Sequence, residues 1–170
     1  MMTAERPFLA DDVPDRVRVG VAELAVAAGE TILTTSGLGS CVGVAVGDPI
    51  AGVAGLAHVM LPDETGDDRG KPAKSAAVGV ERLLADLEAA GGDPERTEAK
   101  LAGGSKMFDF SGVSEGVGER NVERVRAALA ERDVPVVAED VGGDYGRSVE
   151  LTPETWTLTV TSTHEGVEDL

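Results

Sequence analysis

Cys41-Val42-Gly43-Val44-Ala45-Val46-Gly47-Asp48-Pro49 and, shortly after it, Val53-Ala54-Gly55-Leu56-Ala57-His58-Val59-Met60 decide the fold. In the first stretch valine alternates with glycine and alanine until Gly47-Asp48-Pro49 cuts it off. Period-two placement of β-branched residues makes a strand, and the Gly/Asp/Pro cluster is a turn signal. The second stretch is another apolar run of strand length. Two such runs joined by a short Gly/Asp/Pro link make an antiparallel hairpin.

Upstream, residues 31–35 are short and β-branched, a strand opened by the turn at Gly29-Glu30. Before that, Val17, Val19 and Val21 alternate from Arg16 and run on to Leu24 and Val26. Downstream, residues 62–73 are rich in Pro, Gly, Asp and Lys and form a surface loop. Val80, Leu83, Leu84 and Leu87 then share one face of a helix, with Glu81, Arg82, Asp86 and Glu88 opposite. Gly91-Gly92 ends that helix. Residues 97–102 read as a strand running into Gly103-Gly104, and residues 118–132 as a helix buried along Val122, Val125 and Leu129. Residues 134–139, 148–151 and 156–161 read as further strands. About eight strands and two helices with hairpin links predict an α/β sandwich of largely antiparallel β-sheets with two main helices, in a single domain. The expected boundaries are a loose N-terminal arm at 1–15, the domain at 16–162 and a polar C-terminal tail at 163–170.

The 170 residues suit one hydrophobic core. Aromatics are only 3% of the chain, so that core must be built from Val, Leu, Ala and Ile. The net charge of −16, from 31 acidic and 15 basic residues, repels phosphate and disfavours nucleic acid or an anionic lipid surface as partner. The acids are dispersed rather than blocked, and Lys71, Lys74, Lys100 and Lys106 are the only lysines. Dispersed acidity of this kind suits high salt, where counterions screen self-repulsion, and reads as the cytoplasmic protein of a halophile. The first sixteen residues are charged and lack the apolar core of a signal peptide. No apolar stretch reaches membrane-spanning length.

Cys41 is the only cysteine, so no intramolecular disulfide forms. A free cysteine is often just a small buried hydrophobe. Here it follows Gly37-Leu38-Gly39-Ser40, a turn that presents a side chain and can aim successive N–H groups into one concavity. Those N–H groups would stabilise an oxyanion at Gly39 and Ser40. His58 is one of two histidines, and the other, His164, falls in the expected tail. Alternation sets His58 beside Leu56 and Met60, an apolar setting that keeps an imidazole neutral and fit to act as a base. The bland reading of His58 is a satisfied core histidine, and that of Thr35 a β-former at a strand end. The glycine spacing is not a dinucleotide site, because a strand rather than a helix follows it. Asp63, Glu64, Asp67 and Asp68 lack the spacing of a cation loop. One cysteine and two histidines make no zinc site.

The ordered set of motifs resembles the CheD family of chemoreceptor glutamine deamidases. It comprises Thr35, Gly37-Leu38-Gly39-Ser40-Cys41-Val42, Asp48-Pro49 and Ala57-His58-Val59-Met60-Leu61-Pro62. It continues through Lys71-Pro72, Ala99-Lys100-Leu101-Ala102-Gly103-Gly104, Met107-Phe108, Gly118 and Arg120-Asn121-Val122. It closes at Ala138-Glu139-Asp140, Gly142-Gly143 and Arg147-Ser148-Val149-Glu150. The chain departs from the pattern after Lys74, where an aromatic residue and then an aspartate are usual and Ser75 and Ala77 stand instead. The resemblance implies a hydrolase with Cys41 as nucleophile, His58 as base and Thr35 orienting the imidazole, with no cofactor. It implies two partners: methyl-accepting chemotaxis receptors as substrate and a CheC-type response-regulator phosphatase, with Met107 and Phe108 near the partner surface. The same machinery would also hydrolyse receptor methyl esters. Two other readings stay open: a non-catalytic adaptor of the phosphatase, and a cysteine hydrolase of a small free amide.

Overall fold

The structure, a computed structural model, describes residues 13–66, 70–106 and 116–170. Ten strands and two α-helices occur among them: β1 Arg16–Arg18, β2 Leu24–Ala28, β3 Ile32–Leu38, β4 Val42–Asp48, β5 Val53–Val59, α1 Ala76–Ala89, β6 Glu98–Gly103, α2 Val117–Glu131, β7 Val136–Val141, β8 Arg147–Thr152, β9 Thr157–Ser162 and β10 Gly166–Asp169. A single 3₁₀ turn, Pro94–Arg96, precedes β6. The predicted hairpin is there: β4 and β5 pair antiparallel from Val42 opposite Val59 to Asp48 opposite Val53. It forms the middle of a five-stranded sheet ordered β2-β5-β4-β6-β7, and a second five-stranded sheet runs β1-β3-β8-β9-β10. Only the β1–β3 and β6–β7 pairs are parallel. The fold is thus the expected α/β sandwich with largely antiparallel sheets.

Both faces of the hairpin are buried, and the alternation in its sequence explains how. Val42, Val44 and Val46 join Val80, Leu83, Leu87, Val125 and Leu129 in a core between this sheet and the two helices. The opposite face of β4 carries Gly43, Ala45 and Gly47, and there the second sheet packs directly down. A methyl group at Gly47 would lie 2.5 Å from the Trp156 ring, and one at Gly43 3.1 Å from Leu38. Leu33, Leu38, Leu56, Leu151 and Leu158 fill the space between the sheets. Each buried leucine contributes about 2 kcal/mol. The layers are therefore helices, first sheet, second sheet. Among the described residues no helix is long and apolar enough to cross a membrane.

Two expectations are corrected. The valine alternation at 17–26 is two strands, not one: β1 joins the second sheet and β2 the first. Between them the chain turns at Ala22, whose φ is +67°, with Glu23 N–H bonding Gly20 O. Period-two alternation marks a strand face but does not say which sheet takes it. The expected tail also contains a strand. β10 pairs antiparallel with β9, and Leu170 exchanges backbone hydrogen bonds with Leu158. Its side chains are exposed, the ladder and a bond from Thr159 Oγ1 to the Asp169 carboxylate hold it, and no apolar pattern announces it.

Asp48 closes the β4–β5 link from a fully buried position. Its carboxylate accepts from Ile50 and Ala51 N–H, from Asp93 N–H and from Arg96 through Nε and Nη2. The Arg96 guanidinium, with help from those amides, holds the carboxyl well below the usual carboxylate range. A lowered acid pKa stabilises the fold above the unfolded-state value, and the contribution is lost as pH falls. In Asp48→Asn an amide nitrogen would face donors. We expect a loss of about 3 kcal/mol near neutral pH, read by thermal unfolding. An unchanged midpoint would show that these bonds hold nothing together.

Candidate active site

Thr35 and His58 meet between the sheets. Thr35 points inward from β3, as Leu33 does, and Leu38 returns to the interior after a bulge at Gly37, whose φ is +74°. His58 points inward from β5, fully buried. The Thr35 hydroxyl lies 2.7 Å from Val19 O and 2.8 Å from His58 Nδ1. A carbonyl can only accept, so the single hydroxyl proton goes to Val19 O. Toward the imidazole the hydroxyl oxygen must then accept, and Nδ1 carries the proton. The neutral ring is thereby fixed with its lone pair on Nε2. That atom is buried and has no hydrogen-bond partner among the described residues. Burial pushes the His58 pKa down to about 4.

The segment joining β1 to β2 builds this arrangement. Val19 O takes the threonine proton, Ala22 N–H bonds His58 O, and His58 N–H bonds Glu23 O. One short crossover thus grips the imidazole residue by its backbone and the Thr35 hydroxyl by its proton. No side-chain pattern announces it, because main-chain groups make these bonds.

Cys41 stands just before β4, partly exposed, and packs on the core between the sheets. Gly43 is directly opposite His58 in the hairpin register. Cys41 is two residues earlier, on the same side, so it sits one diagonal step from His58. Such neighbours are about 7–8 Å apart or closer between Cβ atoms, within reach of long side chains. Gly43 carries no side chain to stand between them. Burial pushes the thiol pKa up from its ordinary value.

The turn before Cys41 is tied down carbonyl by carbonyl. Gly39 O accepts from Ser105 N–H, Ser40 O from Asn121 Nδ2, and Cys41 O from Gly104 N–H. A trans peptide points its N–H opposite to its C=O. The Gly39 N–H bonds Gly37 O and so is not the free donor expected from the sequence, whereas with the Gly39 and Ser40 carbonyls held by Ser105 and Asn121 the N–H groups of Ser40 and Cys41 face away from those partners. Gly103 makes room beneath: with φ at +109°, a methyl group there would lie 2.4 Å from Cys41 O. This is why Gly103-Gly104 follow β6. Met107 and Phe108 lie outside the described residues. Asn121 is the polar residue that reading the sequence missed as part of the site. The available signal was an asparagine on the buried stripe of an otherwise amphipathic helix.

Comparison with known proteins follows this geometry. A family model described as CheD chemotactic sensory transduction matches residues 60–162. A probable chemoreceptor glutamine deamidase CheD from Haloarcula marismortui is 49% identical over 88% of this chain and 86% of that protein. The chemoreceptor glutamine deamidase CheD of Halalkalibacterium halodurans is 42% identical over 92% of this chain and 99% of its own length. A probable deamidase of the same name from Geobacillus kaustophilus is 43% identical over 91% and 96%. The family model starts after His58, but an alignment over 88% of the chain must span Thr35, Cys41 and His58 wherever it is laid. The composition reads as that of a halophile, and the Haloarcula relative supports a halophilic archaeal origin. Among solved structures, a Neisseria meningitidis protein described by the family model DUF152 superposes with a TM-score of 0.44 at 14% identity, over 77% of this chain and 63% of that one, too loosely to argue from.

Proposed function

The chain belongs to the CheD family, and from that premise we propose that it hydrolyses glutamine side chains of methyl-accepting chemotaxis receptors to glutamate, with Cys41 as nucleophile. The observation that carries the reading is the Thr35–His58 hydrogen bond, which leaves a buried, unpartnered Nε2 lone pair on the same face as the only thiol in the chain. As Cys41 Sγ attacks the carboxamide carbon, its proton passes to His58 Nε2. The tetrahedral oxyanion is received by the N–H groups of Ser40 and Cys41. Protonated His58 then gives its proton to the departing nitrogen, ammonia leaves, and a thioester remains. Water, deprotonated by His58, attacks the thioester. The C–S bond breaks, the thiol regains its proton, and the product is glutamate.

The resting pair is neutral, because burial raises the thiol pKa and lowers that of the imidazole. The thiolate therefore forms only as the substrate is attacked. His58 stays neutral until pH falls to about 4, so activity should survive well below the ordinary histidine range and be lost as pH drops through about 4. Deamidation rates of a receptor fragment, with the fold monitored in parallel, test this. An acid limb near the ordinary histidine value of 6.5 in folded enzyme would contradict the neutral-pair mechanism.

The enzyme works in the cytoplasm, with a CheC-type phosphatase as its regulatory partner. That partner is implied by the family resemblance alone, and Met107 and Phe108 remain the proposed contact.

A further inference from the structure

A buried asparagine inside a helix needs a reason. Asn121 is fully buried on α2, among Val122, Val125 and Leu129. Asparagine is a poor helix former, and an amide out of water is costly unless it is hydrogen-bonded. Its Nδ2 donates to Ser40 O at 2.9 Å and to Met60 O at 3.1 Å, while its Oδ1 is buried without a partner. An amide nitrogen has two protons, and both are used. One acceptor is the carbonyl immediately before Cys41. The other lies one residue past the end of β5, the strand that carries His58.

We infer that Asn121 is a positioning residue for the thiol chemistry: anchored through one amide proton on Met60 O, it uses the other to hold the Ser40–Cys41 peptide with its N–H outward. This rests on the hydrolase reading above. The Ser40 carbonyl is pulled toward α2, and peptide planarity then aims Cys41 N–H the opposite way. Without the clamp that peptide is free to rotate, and an oxyanion would lose a preorganised donor. The thiol and its base would remain in place. Asn121 touches neither of them through a hydrogen bond, so its effect is confined to acyl chemistry.

Two reactions separate these roles. Alkylation of Cys41 by iodoacetamide needs the thiol and is sped by the base but uses no oxyanion donor, whereas deamidation of a receptor fragment needs all three. Asn121→Asp replaces donors with acceptors in a closely similar shape. Asn121→Ala removes them without adding charge, should the aspartate variant fail to fold. In the folded variant, kcat for deamidation should fall about thirtyfold or more at unchanged KM, with alkylation within about twofold of wild type. Unchanged kcat, or deamidation and alkylation falling together with the folded fraction, would overturn the inference. If wild-type protein leaves every receptor glutamine intact, the hydrolase reading fails by itself. The clamp is then judged by the amide resonances of Ser40 and Cys41, which should shift in the variant while those of α2 stay put. Unshifted resonances overturn it.

Discussion

Cys41→Ala will leave receptor glutamines as amides, with deamidation reduced by on the order of 10⁴-fold or more, and His58→Ala will fall nearly as far. Cys41 is the only thiol, so no neighbouring sulfur can substitute. For His58 the argument is one of position. The other histidine, His164, stacks on Tyr145 and is distant in role: it is held by the loop between β9 and β10, not by the hairpin. The two variants should differ in one respect. His58→Ala keeps the thiol, so it should still be alkylated by iodoacetamide, only more slowly than wild type because the proton acceptor is gone. Cys41→Ala should take no label at all. Both variants remove side chains without touching backbone bonds. The His58 N–H and C=O remain paired with Glu23 and Ala22, so both should fold. Wild-type deamidation by either variant would remove the residue from the mechanism.

Thr35→Val should lower kcat by about a hundredfold while leaving KM nearly unchanged, and Thr35→Ser should restore most of the loss. Valine copies the shape and deletes the hydroxyl. Val19 O then loses its donor and His58 Nδ1 its acceptor. The ring is free to carry its proton on Nε2, which cannot act as a base. The effect is smaller than removing His58, because part of the population still holds the productive tautomer. Stability should also fall by about 1–3 kcal/mol, since buried polar groups are left unpaired. The pair of variants distinguishes tautomer control from simple packing. Packing would favour valine, whereas tautomer control favours serine. A valine variant as active as wild type would show that Thr35 does no more than fill space.

Much of this could be read from the chain because side-chain patterns carry it. Val42-Gly43-Val44-Ala45-Val46 announces a strand with one large and one small face, and the structure uses those faces for helices and for the second sheet. The helical stripes of α1 and α2 were equally plain. What escaped reading depends on main-chain groups and on partner choice. Val19 O and Glu23 O act through carbonyls that every residue possesses. β1 and β2 carry one continuous valine pattern but go to different sheets, a choice made at Ala22. β10 lacks a buried face altogether, so nothing in its composition marks it. Asn121 was visible within a shared motif, yet its bonds run to residues far away in sequence, and no local spacing shows them.

The most direct measurement is peptide mass analysis of a purified cognate receptor fragment after incubation, at high salt, with the wild-type protein and in parallel with Cys41→Ala. The expected result is conversion of particular receptor glutamines to glutamate by the wild type and intact amides with Cys41→Ala. Identical receptor peptides from the two incubations, whether both converted or both intact, would contradict a cysteine-dependent deamidase. Both intact would leave a protein that acts by binding the phosphatase alone.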